Sequence, residues 1–266
     1  MTVARSTDPN TPVAHMARRL VRLFAVLALV ASAWWIARET TWAFVWDSGL
    51  QIRDLADRMT PPDLTDGGSL LRPLLATIHI ATLGTIAGVL CAVPLAIAAA
   101  RRTSPWPAVM RPVAQLLLIA SRSINALIWA LILVVVVGPG TLAGVCAIAL
   151  RSVGFIGRLL YEAIEEASEA PIEAMVTTGA SRSASLAYGL VPQVAPTFYG
   201  IVVYRWEINI REATVIGLVG AGGIGMMLQA SIDALAWSRV STILLLIIAT
   251  VWFGEVVSAR IRGRLR

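Results

Sequence analysis

At 266 residues, 57% hydrophobic and 14% charged, with a mean hydropathy of +0.75, the chain is too apolar for a soluble domain, in which about a quarter of residues are charged. Its net charge of +6 comes from arginine alone, because the sequence contains no lysine; the arginines gather at the ends of apolar runs, so a membrane surface explains them and no nucleic-acid partner is expected. The apolar runs are too long for strands and do not alternate with polar residues, which makes the fold class all-α, a polytopic membrane protein.

Residues 1–13 carry Asp, Pro, Asn and Thr without periodicity and read as a disordered cytoplasmic tail; residues 14–266 read as one transmembrane domain. Six segments reach the length of about 20 apolar residues that a bilayer needs: 20–44, 72–100, 108–137, 141–160, 195–217 and 239–259. The first, with Arg18, Arg19 and Arg22 ahead of it and Ala31-Ser32-Ala33 within it, imitates a signal peptide. Its apolar stretch continues through Trp34, Trp35 and Ile36, which favours an uncleaved anchor. The stretch 51–68 is polar, contains Pro61-Pro62, and is expected as a short external helix plus turn. Gly138-Pro139-Gly140 is expected as a tight external reversal between spans three and four. The arginine-rich ends at 18–22, 101–102 and 260–266 fall on one side of this topology, and the positive-inside rule makes that side cytoplasmic. Both termini and Thr103 are then cytoplasmic, with Asp63 and Gly140 outside. Cys91 and Cys146 lie in apolar runs without metal-ligand spacing and read as packing residues; no metal site and no cofactor is expected.

Residues 161–192 form the one long polar stretch, YEAIEEASEAPIEAMVTTGASRSASLAYGLVP. Pro171 suits the first turn of a helix that Thr178 ends, and Gly179 offers the left-handed conformation that closes it. Ser181 is the expected N-cap of a second short helix that Pro192 stops. The stretch resembles the cytoplasmic EAA loop of ABC importer permeases. Glu173, Ala174, Gly179 and Pro192 keep that pattern, whereas Met175, Gly189 and Val191 depart from it. The resemblance implies that this loop couples the chain to an ATPase subunit.

The fifth span carries Tyr204-Arg205-Trp206-Glu207-Ile208-Asn209-Ile210-Arg211-Glu212. Ionisable side chains at membrane depth need partners or a water-filled path. At 3.6 residues per turn Arg205, Asn209 and Glu212 share one stripe, with Glu207 and Arg211 nearly opposite, so the helix is expected to be central. The two acids and two bases of the segment are expected to cancel, leaving Arg122 and Arg151 uncompensated, with His79 nearby in depth. Two readings stay open: a buried ion-pair network that fixes helix register, or a positive path suited to an anion. Gly220, Gly222 and Gly225 satisfy G-x-G-x-x-G, but no strand precedes them and Asp233 comes too early for a dinucleotide site. Together with Gly223 they are expected to break the helix and turn the backbone back at the outer mouth.

The runs 58–64, 121–130, 161–192, 204–211 and 217–225 together resemble permeases of the phosphonate importer family, over nearly the whole chain from Ala14 onward. Ile124-Asn125-Ala126 stands where that family usually has Ile-Pro-Glu. The resemblance implies the type I ABC importer permease fold and import of phosphonate or a related phosphorus oxyanion. It also implies two ATPase subunits, an external substrate-binding protein, and a second permease subunit that is identical or paralogous. The chain lacks a phosphate loop of its own, so ATP hydrolysis is expected in a partner. Another small solute (phosphate, phosphite or an amino acid) remains the alternative cargo. An intramembrane enzyme would need H-E-x-x-H, G-x-S-x-G or a comparable set, which is missing. A secondary transporter would show paired repeats and have no use for the loop.

Overall fold

The computed structural model describes residues 12–65 and 67–264, and among them the only regular structure is helical. The backbone groups into two units that divide between Asp57 and Arg58, and each is taken by itself.

The first unit holds α1 (Pro12–Glu39) and most of α2 (Trp42–Met59). Helix α1 begins two residues inside the expected tail; the rest of that tail, Thr2 included, lies outside the described residues, as does Arg266. The expected first span ran to residue 44, but α1 ends at Glu39 and a second helix starts at Trp42. The chain breaks at Thr40-Thr41, where Thr40 turns its hydroxyl back to the Ile36 carbonyl (2.6 Å) and Trp42 Nε1 donates to the Ala37 carbonyl (2.8 Å). Such side-chain bonds give the backbone an alternative to the helical ladder. The polar stretch after 51 is therefore the second half of a longer helix.

The second unit is built on α3 (Gly67–Ala99), α6 (Thr141–Glu166) and α9 (Val191–Ile216), which pack on one another. Small residues let them approach. Gly88 faces Ser152, and a Cβ there would stand 2.7 Å from the serine Cβ; close backbone contact of this kind replaces the hydrophobic drive that lipid does not supply. We expect Gly88→Val to wedge α3 from α6 and to lower the thermal midpoint of the detergent-solubilised protein by several degrees. An unchanged midpoint would refute this packing.

The expected third span is not continuous. It divides into α4 (Met110–Ser123) and α5 (Ala126–Val137), bent by 89°. Asn125 caps α5, its side-chain oxygen accepting from Leu127 N at 3.2 Å, so the residue that replaces the usual proline starts the second half-helix by satisfying one of its orphan donors. Among the described residues, five helices are thus long and apolar enough to cross a membrane, or six when the bent pair is taken as one span.

After α9 a single 3₁₀ turn (Gly217–Val219) leads into Gly220, Gly222 and Gly223, all with φ between 77° and 89°, a region open to glycine at little cost. The chain then reverses into α10 (Ile224–Asp233) and α11 (Trp237–Arg264). Gly225 has ordinary φ but sits against Gly217 and the Thr214 carbonyl, where no side chain fits. Gly140 N donates to the Gly220 carbonyl (2.9 Å), which joins the reversal between α5 and α6 to this turn. The segment after α2 is fastened to the start of α11: Asp63 N donates to the Ser238 carbonyl (3.1 Å) and Thr242 Oγ1 to the Asp63 carbonyl (2.8 Å). The Asp63 carboxyl is held below the ordinary carboxylate range, first by the Thr65 hydroxyl and then by the Thr65 N–H. Of the two cysteines expected as packing residues, Cys91 is exposed on α3 of this chain and Cys146 is half-buried on α6.

Candidate functional site

Two places in the second unit concentrate polar chemistry. The first is the facing surfaces of α3, α6 and α9. Asn209 Nδ2 donates to Thr85 Oγ1 (2.7 Å) and to Ser152 Oγ (3.0 Å), and Trp206 Nε1 donates to Thr82 Oγ1 (3.0 Å). Arg205, its side chain only 2% exposed, donates from Nε to Ser152 Oγ (3.0 Å) and from Nη2 to Glu212 Oε2 (3.0 Å), with its guanidinium 5.2 Å from the Phe155 ring centre. A buried guanidinium holds its charge because these partners replace the water it has lost.

Glu212 also takes Arg151 Nε at 3.1 Å, through its other oxygen. This corrects two expectations. Arg151 is not uncompensated, and within the fifth span only Arg205 and Glu212 pair with each other, while Glu207 and Arg211 do not. Glu207 turns the other way and pairs with Arg262 of α11 (3.1 Å). The reason is rotation about the helix axis: the stripe of Arg205, Asn209 and Glu212 faces α3 and α6, whereas Glu207 faces the last helix. Arg211 and Arg122 make no ion pair among the described residues, and both are exposed on this chain. His79 is exposed on α3 and lines neither of the hollows described next.

These arginines border two adjoining hollows. One, of about 260 Å³, is lined by Arg122, Ser123, Arg151 and Phe155. The other, of about 250 Å³, has Asn125, Arg151, Arg211 and Glu212 in its wall. Arg151 belongs to both, and Ser123 and Asn125, at the bend between α4 and α5, lie one in each wall. Three guanidiniums stand against one carboxylate, and that carboxylate also serves buried Arg205. The surface is net positive, and low-dielectric walls focus such a field.

The second place is the polar stretch between α6 and α9. Helix α7 (Ala170–Thr177) has Pro171 in its first turn and buries none of its residues. Thr178 caps it and Gly179 follows at φ +82°. Ser181 accepts from Ala184 N (3.3 Å) at the start of α8 (Arg182–Ser185). The second helix does not stop at Pro192. It widens into a π-helical turn (Leu186–Leu190) and runs straight on as α9, with Pro192 in the first turn. The wide turn removes the clash that a proline ring would make with the preceding carbonyls. Gln193 secures the junction, donating from Nε2 to the Gly189 carbonyl (2.6 Å) and accepting Ser168 N on Oε1 (3.0 Å). Gly189, a departure from the loop pattern, lies against Ile172 of α7, where a Cβ would come within 3.1 Å of Ile172 Cα.

The loop is also pinned to the end of α3. Arg102 donates to the Ala167 carbonyl (2.5 Å) and pairs with Glu169 (2.8 Å), and Arg182 donates to the Arg102 carbonyl (3.3 Å). Glu173, Ala174, Val176 and Gly179 stay exposed, leaving a compact platform available to another subunit. Because a side chain at Gly179 would meet open space, Gly179→Val acts on the backbone alone, at a cost of about 1–2 kcal/mol for a β-branched residue in this region. If the platform docks an ATPase, this variant should insert normally yet lose most binding-protein-stimulated ATP hydrolysis. Wild-type stimulation would remove the loop from the coupling role.

The sequence alone did not reveal Ser152, Thr82, Thr85, Phe155, Arg102, Gln193 or Arg262 as parts of these sites. Only Asn125, a capping residue just before an apolar run, carried a usable local signal.

The arrangement of long helices around a broken span defines a class. In fold the chain is similar to a chain of an amino acid ABC transporter, with a TM-score of 0.64 over 76% of this chain and 96% of that one, at 16% sequence identity. This is the type I ABC importer permease fold. The sequence pattern of the binding-protein-dependent transport system inner membrane components matches residues 92–265, and the chain belongs to that family. It is 39% identical to the phosphite transport system permease protein PtxC of Stutzerimonas stutzeri, covering 92% of this chain and 89% of that protein. It is 37% identical to the phosphate-import permease protein PhnE of Mycolicibacterium smegmatis, covering 88% of this chain and 44% of that protein. The chain is accordingly a permease component rather than an enzyme.

Proposed function

We propose that the chain forms the membrane path of an ATP-driven importer for phosphonate or a related phosphorus oxyanion. The observation that carries the reading is the cationic surface of Arg122, Arg151 and Arg211 around the broken span, with Glu212 as the one carboxylate in its walls. Tetrahedral oxyanions match such a surface, because guanidinium groups present paired donors to their oxygens. The relatives named for phosphite and phosphate permeases support the same cargo class.

In this reading an external binding protein delivers the anion, and a second permease subunit, identical or paralogous, completes the path. Two ATPase subunits dock on the platform at Glu173, Ala174 and Gly179. Closure of the ATPases moves α7, and the ties through Arg102 and Gln193 carry that movement to α3, α6 and α9 together. The test is uptake by the full complex reconstituted with its binding protein, comparing phosphite, methylphosphonate and histidine. Phosphorus oxyanion uptake at a rate at least about tenfold above histidine is expected, since discrimination between so different charges is worth more than about 1.4 kcal/mol. Preferential histidine uptake would overturn the cargo.

Sidedness follows from the same reading. Cysteine placed at Thr103 should react only from the cytoplasmic side, and at Gly140 only from outside, in a background lacking Cys91 and Cys146. External reaction at Thr103 would invert the topology and detach the loop from any ATPase.

A further inference from the structure

Helix α6 carries one more guanidinium on the cavity side. Arg158 follows Arg151 by seven residues, two turns and roughly 10 Å toward the coupling loop, on the same helix face. A hollow of about 190 Å³ lies there, with Gln115, Arg122, Arg158 and Tyr161 in its wall. Arg122 lines both this hollow and the one that holds Arg151, so the two adjoin through a single side chain. The polar groups are of the kind an oxyanion needs: two guanidiniums, a phenol and a carboxamide. As Glu212 holds Arg151 in the neighbouring hollows, a carboxylate also holds the arginine here. Arg158 Nε is already engaged by Glu162 at 2.6 Å, an exposed pair one helical turn apart.

We propose that Arg122, Arg158, Tyr161 and Gln115 form a second phosphorus-oxyanion station, on the cytoplasmic side of the path, from which the anion is released; the inference rests on the oxyanion reading above. Conduction needs sites that bind well enough to be entered and weakly enough to be left. Glu162 supplies the weakness. An anion on Arg158 meets a carboxylate already holding that guanidinium, so its attraction is diminished and it departs. The station stands between Arg151 and the end of α6, where Glu165 meets Arg111 (3.3 Å) close to the pinned loop. The same chemistry would also accept the headgroup of an anionic lipid, and the test separates the two sources.

The experiment uses the complete transporter with its ATPases and binding protein in vesicles, moving phosphite toward the ATPase side. The quantity read is the phosphite concentration on the ATPase side that halves transport. Glu162→Gln frees Arg158 and should lower that concentration about tenfold, the effect of one charge-assisted hydrogen bond; Arg158→Gln should raise it by a similar factor. Because an exposed pair of this spacing contributes little to folding, both variants should assemble. If Arg158→Gln fails to assemble, Glu162→Gln decides alone, since a structural role predicts no tightening. Wild-type values in the variants that assemble overturn the station while leaving the oxyanion reading intact. A wild-type complex that moves neither phosphite nor methylphosphonate overturns the oxyanion reading itself. Vesicles of phosphatidylcholine, with and without phosphatidylglycerol, form the second arm. Shifts present in both support the solute, and shifts confined to phosphatidylglycerol assign the hollow to lipid and overturn the proposal.

Discussion

Glu212→Gln should cause the greatest loss of folded protein of any single exchange among these charged residues. Its carboxylate holds Arg151 through one oxygen and Arg205 through the other, and the Arg205 side chain is 2% exposed. Neutralising it leaves a buried cation with a serine and a phenyl ring as its neighbours, and breaking a buried pair from one side costs about 3–5 kcal/mol. We expect the yield of folded complex to fall severalfold and the thermal midpoint in detergent to drop by several degrees. Glu207→Gln should do less, because its partner Arg262 is 35% exposed and can turn to water. Adding Arg205→Gln to Glu212→Gln should recover part of the loss, since the unpaired cation is then gone. A midpoint unchanged by Glu212→Gln would mean that the pairing does not hold these helices together.

Arg122→Gln should have the opposite signature. Arg122 is exposed beside the bend and makes no ion pair among the described residues, so no carboxylate is orphaned by its loss. Stability should stay within about 0.5 kcal/mol of wild type, as for other surface exchanges. Oxyanion uptake by the reconstituted complex should fall about tenfold or more, given that a charge-assisted contact is worth about 1.5–3 kcal/mol. Arg151→Gln should show both losses at once, because Arg151 lines the hollows and also pairs with Glu212. Unimpaired uptake in Arg122→Gln would remove the cationic path from the mechanism and return these arginines to a structural network.

The lengths and composition of the apolar runs determined the helical membrane class, because hydrocarbon admits a backbone only when its own bonds are satisfied within the segment. Local chemistry was legible in the same way. Gly179 is left-handed, Ser181 caps its helix, Pro171 opens α7, and the glycines at 220, 222 and 223 reverse the chain, each decided within a few residues of itself. The shared stripe of Arg205, Asn209 and Glu212 also followed from the 3.6-residue period alone. That period says which residues lie on one face, but not which neighbour the face meets. Whether Glu212 joins Arg151, or Glu207 joins Arg262, depends on the rotation and depth at which α6, α9 and α11 pack, over separations of 61 and 55 residues. The bend of 89° beside Asn125 and the π turn that carries Pro192 into α9 are tertiary decisions too. The first places Asn125 in the wall of the hollow beside Arg151, and the second joins the loop without a break to the helix that bears the charges.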